Sequence, residues 1–198
     1  MAILRMRSHP STKKRTDKQK ATTQRFQLIN KFVARINGFT NVGFDVASRK
    51  VSPTAQNLAT SYNIKNAIFG EYPGQKIDFS KVRVCEGILP LSANINVTAE
   101  DQGNEIKLVF SWNVDPDIQY PRNRDQVMML AYLPENESAE YLDSGARRSA
   151  GQDSLLIGRN YGSVNLPKLN TYAETYIAFV ANDRDSITNS YYCGRIYF

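Results

Sequence analysis

Glu105-Ile106-Lys107-Leu108-Val109-Phe110-Ser111-Trp112 is the stretch whose reading decides the fold. Ile106, Leu108, Phe110 and Trp112 share one parity, so on an extended strand they line a single face. Lys107, Val109 and Ser111 fall on the opposite face, the alternation of a strand in an antiparallel sheet. Loop chemistry bounds the stretch on both sides: Glu100-Asp101-Gln102-Gly103-Asn104 before it and Asp115-Pro116-Asp117 after it.

Working outward, further short strands are predicted from about residue 76 to the end. Val82 and Val84 alternate with Arg83 and Cys85, and Ile95 and Val97 alternate with asparagine and threonine. Val127 to Leu133, Leu155 to Ile157, Tyr176 to Val180 and Tyr191 to Tyr197 follow, separated by turns such as Pro134-Glu135-Asn136, Asp143-Ser144-Gly145 and Asn182-Asp183-Arg184-Asp185. About seven short strands with turn signals between them predict an immunoglobulin-like antiparallel β-sandwich over residues 76–198. The fold class is mainly β, α+β once the N-terminal region is counted.

That region, residues 22–75, reads as helical. Phe26, Ile29, Phe32, Val33 and Ile36 recur at helical spacing over 22–37, with Gly38 as a stop signal. A second helix is predicted from Ser52 as N-cap and Pro53 in the first position, with Ala55, Leu58, Ala59, Tyr62 and Phe69 as its stripe and Gly70 at its end. Residues 1–21 hold little apolar anchorage and read as an extended basic arm.

Charge separates the arm from the body. Residues 1–50 carry 12 Lys/Arg against 2 Asp/Glu, and residues 51–198 carry 13 against 17. A net positive leader on a mildly acidic body is the strongest compositional signal in the chain. Arg5, Arg7, Lys13, Lys14, Arg15, Lys18, Lys20 and Arg25 are the residues predicted to contact a polyanion or a neighbouring subunit. No aromatic precedes Phe26, so the arm has no stacking platform for unpaired bases. Whether it contacts a partner or is a solvated tail stays open at this level.

The C-terminus, Tyr191-Tyr192-Cys193-Gly194-Arg195-Ile196-Tyr197-Phe198, reads first as a terminal strand inside the sandwich. The alternative leaves Tyr197 and Phe198 exposed as interface anchors.

Other classes of function are disfavoured. No window approaches about 18 consecutive apolar residues, and no secretory apolar segment follows the start, so a cytoplasmic chain without membrane insertion is expected, virion-borne if phage-encoded. His9 is the single histidine, which removes most metal sites and histidine-based triads. No phosphate-binding loop, dinucleotide fingerprint or nucleophile elbow is present, and Ser149-Ala150-Gly151 reads as a loop. Asp183 and Asp185, like Asp115 and Asp117, are expected in ordinary turns, because the later glycine and glutamate of a calcium loop are absent. Cys85 and Cys193 are expected to be reduced. Neither metal nor cofactor is expected, and no catalysis.

Several stretches are shared with a known family: Arg7-Ser8-His9-Pro10, Ser61-Tyr62-Asn63-Ile64-Lys65-Asn66-Ala67-Ile68, Ile77-Asp78-Phe79-Ser80-Lys81-Val82, Gly87-Ile88-Leu89-Pro90, Arg148-Ser149-Ala150-Gly151, and Tyr176-Ile177-Ala178-Phe179-Val180 leading into Ser186-Ile187-Thr188-Asn189-Ser190-Tyr191. On these residues the chain resembles an uncharacterised bacterial family, common in the Bacteroidetes and catalogued as a domain of unknown function. The resemblance implies helices followed by a β-sandwich, and carries no activity or site residues with it.

The functional expectation is a non-enzymatic structural or assembly protein, such as a phage-type virion component (a collar, tail or capsid-associated subunit), whose arm threads onto other copies of itself or other subunits. The competing expectation is a nucleic-acid-binding protein that uses the same arm.

Overall fold

The computed structural model describes residues 14–49, 51–103, 105–117, 121–158 and 171–198. Among them are four helices: α1 (Asp17–Arg35), α2 (Asn37–Gly43), α3 (Asp45–Ser48) and α4 (Ala55–Asn66). Nine strands follow: β1 (Ile68–Phe69), β2 (Lys76–Ile77), β3 (Asn96–Asp101), β4 (Glu105–Ser111), β5 (Gln126–Leu133), β6 (Ser138–Leu142), β7 (Gln152–Gly158), β8 (Tyr172–Val180) and β9 (Tyr191–Tyr197). No helix among the described residues is long and apolar enough to cross a membrane.

β1 and β2 form a small hairpin, and the other strands form two antiparallel sheets, ordered β3-β4-β7 and β6-β5-β8-β9. The chain lays down hairpin β3–β4, crosses to hairpin β5–β6, returns to pair β7 with β4, and crosses again to hairpin β8–β9. This is the immunoglobulin-like sandwich anticipated from the strand pattern. Ile106, Leu108, Phe110 and Trp112 do point together into the core between the sheets, meeting Val127, Met129, Leu133, Ile177 and Phe179 from the opposite one.

The four-stranded sheet is buried on its other face as well. Met128, Leu130 and Tyr132 of β5 and Tyr176, Ala178 and Val180 of β8 pack on Ile29, Phe32 and Val33 of α1, Phe39 of α2 and Ala59 of α4. Three layers result: sheet, sheet, helices. That arrangement is why Val127 to Leu133 and Tyr176 to Val180 are unbroken apolar runs rather than alternating ones. Residues 22–75 and 76–198 share one core instead of forming separate packing units.

Local structure differs from the sequence expectation at several places. The first helix starts at Asp17, inside the expected arm, because Thr16 and Gln19 form a capping box: Gln19 N donates to Thr16 Oγ1 at 3.3 Å and Thr16 N to Gln19 Oε1 at 3.0 Å. The cap of α4 is Thr54, not Ser52, and accepts from Asn57 N at 3.3 Å; the helix ends at Asn66, so Phe69 lies in β1 rather than on its stripe, and Gly38 lies inside α2 instead of ending the helical stretch. Strand β6, short and polar, escaped the period-two pattern.

Val82 to Cys85 is extended but joins no sheet. Its backbone is held by side chains instead: Arg83 N donates to Asn63 Oδ1 at 2.9 Å, Asn63 Nδ2 donates to Arg83 O at 2.8 Å, and Val84 N donates to Ser190 Oγ at 2.9 Å. A side-chain amide there supplies what a ladder partner would. Gly43 is required beside it, since a Cβ would sit about 2.8 Å from Cys85 Sγ. Cys85 and Cys193 carry free thiols, with Cys85 fully buried.

Candidate functional site

Arg5, Arg7 and Lys13 lie outside the described residues. Lys14 and Arg15 precede α1, and Lys18, Lys20 and Arg25 stand on it. Residues 14–20 are all exposed, whereas burial begins at Ile29, so the first turns of α1 project past the core that holds its second half.

The cations on this projection are not equivalent. Arg25 is anchored: Gln75, buried beneath the turn, turns its amide to donate to Ala21 O and Gln24 Oε1, both at 3.0 Å, and to accept from Arg25 Nε at 2.8 Å. Gln24 Nε2 in turn donates to Pro73 O at 2.8 Å. Lys20 pairs with Asp17 at 3.0 Å and lies 6.0 Å from the Tyr72 ring centre. The hydrogen bond to Asp17 shifts its ammonium pKa upward. Lys14, Arg15 and Lys18 have no partner among the described residues. Lys14 and Arg15 just before the capped helix start and Lys18 in its first turn form an exposed cationic surface that no side chain among the described residues offsets.

The second predicted feature, the C-terminal aromatic pair, divides. Tyr197 is 68% exposed, while Phe198 packs against the inter-sheet core and donates from its backbone to Thr171 O at 3.0 Å. Tyr191, 48% exposed, stands at the other end of β9, which is the last strand of its sheet.

β9 is pinned to β8 by a residue that sequence reading passed over. Glu174 is fully buried; its Oε1 accepts from Arg195 Nε at 2.9 Å and Nη2 at 2.6 Å, and its Oε2 accepts from the Tyr192 hydroxyl at 2.6 Å. The Arg195 guanidinium lies 4.4 Å from the Tyr172 ring centre, and Tyr172 meets Tyr197 at 5.8 Å. Burial, then the hydrogen bond to Glu174, pushes the Tyr192 phenol well above its ordinary pKa. Arg195 is held further toward its charged form, by Tyr197 first and Glu174 next. A charged residue inside the apolar run Tyr172 to Val180 was the available signal.

Glu174, Tyr192 and Arg195 also border an open cavity of about 370 Å³ shared with Asp78 and Ser80. Its carboxylates are already engaged, since Asp78 accepts from Ser80 and pairs with Lys81 at 3.1 Å. The cluster is therefore built to hold the terminal strand. Among the described residues no group of three His, Cys, Asp or Glu side chains converges as metal ligands do. Asp115 accepts from Asp117 N at 2.9 Å and Asp183 from Asp185 N at 3.0 Å, each closing a local turn.

No curated protein and no solved structure matches the chain. A family model described as a family of unknown function (DUF6266) matches residues 1–194, and the chain belongs to that family.

Proposed function

We propose, with membership of that family as the premise, that the chain is a structural or assembly subunit whose basic N-terminal projection docks on an acidic surface of neighbouring copies. The observation that carries the reading is the exposed, capped start of α1, where Lys14, Arg15 and Lys18 stand beyond the core without partners among the described residues. Helix capping lets the projection hold its shape, so less ordering entropy opposes docking than for a free arm. The body supplies complementary charge, with 17 acidic residues against 13 basic ones after residue 50. β9 adds an edge strand flanked by the exposed Tyr191 and Tyr197, a composition suited to protein contact. A repeated particle, a phage-type virion included, is the setting in which such a subunit works.

The second reading, nucleic-acid binding, rests on the same cations and differs in its salt dependence. The full chain and a Lys14→Glu, Arg15→Glu, Lys18→Glu variant should be compared by light scattering, with and without duplex DNA, at rising salt. The variant should melt like the parent, because these side chains are exposed and make no hydrogen bond or ion pair among the described residues, yet it should no longer associate. A monomeric parent whose DNA affinity falls with a log–log slope near −0.9 per phosphate contacted would favour the second reading. A variant that associates as well as its parent removes the first.

A further inference from the structure

Two stretches singled out in the sequence, Gly87-Ile88-Leu89-Pro90 and Ser186 to Tyr191, lie against each other, and the assembly reading uses neither. Leu89 forms a parallel bridge with Thr188, and its N donates to Ile187 O at 3.0 Å. Gly87 N donates to Asn189 Oδ1 at 3.2 Å, and Glu86 N to Gly43 O at 2.9 Å. Gly87 has to be glycine here, because a Cβ would collide with the Ile187 carbonyl. The backbone on both sides of Ile88 is thereby fixed. Its side chain is 86% exposed, more than any other large apolar residue among those described. A lone exposed isoleucine is ordinary, but the surroundings of this one are not.

Ile88 borders an open cavity of about 430 Å³ together with Val46 and Ala47 of α3. Val46 also lines a second cavity, of about 390 Å³, with Val42 and Val180. A projecting apolar side chain and an apolar recess therefore lie side by side on one surface. The charges around them are largely answered within the chain. Arg49 meets Asp45 at 2.6 Å and Asp185 at 2.7 Å, and Arg83 meets Glu86 at 3.5 Å. With Asp143 and Arg184 added, the two cavities and Arg49 hold four carboxylates against three guanidiniums. A face so close to neutral has little pull on the cationic start of α1 or on a polyanion, so burial of apolar surface is what drives contact there.

We propose that this face makes a two-fold contact between copies of the chain, which rests on the assembly reading and gives it a second surface. An isologous interface needs a patch that complements itself, with knob and recess on the same face and no large charge of one sign. A two-fold axis near Val46 lays the Ile88 of each copy on the recess formed by Val42, Val46 and Val180 of the other. The contact is small, one apolar knob per copy, and by itself holds with a Kd on the order of 1 mM. Between copies that a particle already keeps close, it closes at high effective concentration and tightens the assembly.

The full-length Lys14→Glu, Arg15→Glu, Lys18→Glu variant, which lacks the projection's charge, isolates the contact. With its isoleucine methyls ¹³C-labelled, the Ile88 resonance should shift as the chain is concentrated from about 0.05 to about 1 mM in roughly 1 M salt, where a Debye length near 3 Å silences exposed charges. The buried Ile29 should stay still. In the otherwise native chain, Ile88→Asp should weaken association roughly tenfold by light scattering. It should leave the melt of the dilute chain unchanged, since the side chain is almost wholly exposed. Leu156→Asp, half exposed on β7, should associate like the parent. An Ile88 resonance that ignores concentration, association of the native chain that survives Ile88→Asp undiminished, or an equal loss in Leu156→Asp would each overturn the contact. If Ile88 shifts with concentration while the native chain scatters no more than the projection variant, the assembly reading falls and this contact stands.

Discussion

The two faces of strand β8 are buried against different materials. Ala173, Ile177 and Phe179 face the opposite sheet, where the neighbours are Ile106, Leu108, Phe110 and Trp112, with Trp112 edge-on to Phe179 at 5.2 Å. Glu174, Tyr176 and Val180 face helices and loops, where Phe32 meets Tyr132 edge-on at 4.8 Å and the Tyr176 hydroxyl donates to Phe79 O at 2.7 Å. The difference follows from the backbone on each side. A sheet has satisfied its N–H and C=O groups within its own plane, so what packs against it can be purely apolar. The segment from Phe79 to Glu86 belongs to no sheet, and it brings open backbone groups into the core. Side chains with an apolar body and a polar tip, such as Tyr176 and Asn63, close them.

If the sheet is shared by both cores, damage to either should lower the same transition. Trp112→Ala and Phe32→Ala are each expected to cost about 3–5 kcal/mol, read from denaturant melts. In Phe32→Ala, Trp112 fluorescence and far-ultraviolet dichroism should still lose structure together. Two separated transitions would show that the helical layer and the sandwich unfold independently, and would undo the three-layer description.

A smaller effect is expected at the edge of the helix-side face. Glu174→Gln removes the charge that Arg195 answers while keeping an acceptor for Tyr192. Because the Arg195 side chain is 42% exposed, water recovers part of the loss, and about 1–2 kcal/mol is expected in urea melts. A midpoint equal to the parent's would mean that β9 is held by its ladder and by Ile196 and Phe198 alone.

The smallest effect is confined to alkaline pH and again distinguishes the faces, since the buried tyrosines lie on the helix side. Burial pushes the Tyr132 phenol from an ordinary 10.0 up to about 12. A group with a raised folded pKa favours the fold fully below its unfolded value, so this contribution is present below pH 10 and lost as pH climbs toward 12. Tyr176 and Tyr192 shift the same way. Stability followed by urea melts from pH 9 to 11.5 should fall, and Tyr132→Phe should make the fall shallower. An unchanged slope in that variant would assign alkaline loss to the other tyrosines.

Much of the fold was legible because it is periodic. Ile106 to Trp112 gave its face by parity, Ile29, Phe32, Val33 and Ile36 gave theirs by helical spacing, and the runs in β5 and β8 were legible as strands, though not their burial on both faces. The basic projection was legible by composition, though its helical start was not, because a capping box spans only Thr16 to Gln19 and contains no apolar residue. Tyr197 and Phe198 could not be told apart on sequence, since their separation depends on which side of β9 meets the second sheet.

The amino-acid sequence by itself determined the strand parity, the two principal helices, the charge division and the immunoglobulin-like class, all properties carried by local periodicity, by the order of the elements or by composition. The tertiary structure alone decided what closes the gaps between elements. Asn63 holds Arg83 from 20 residues away, Ser190 holds Val84 from 106, Glu174 holds Arg195 from 21, and Arg148 reaches Ser92 from 56. Such contacts leave no period in the chain. They exist because a buried donor or acceptor must find a partner wherever folding has brought one within about 3 Å.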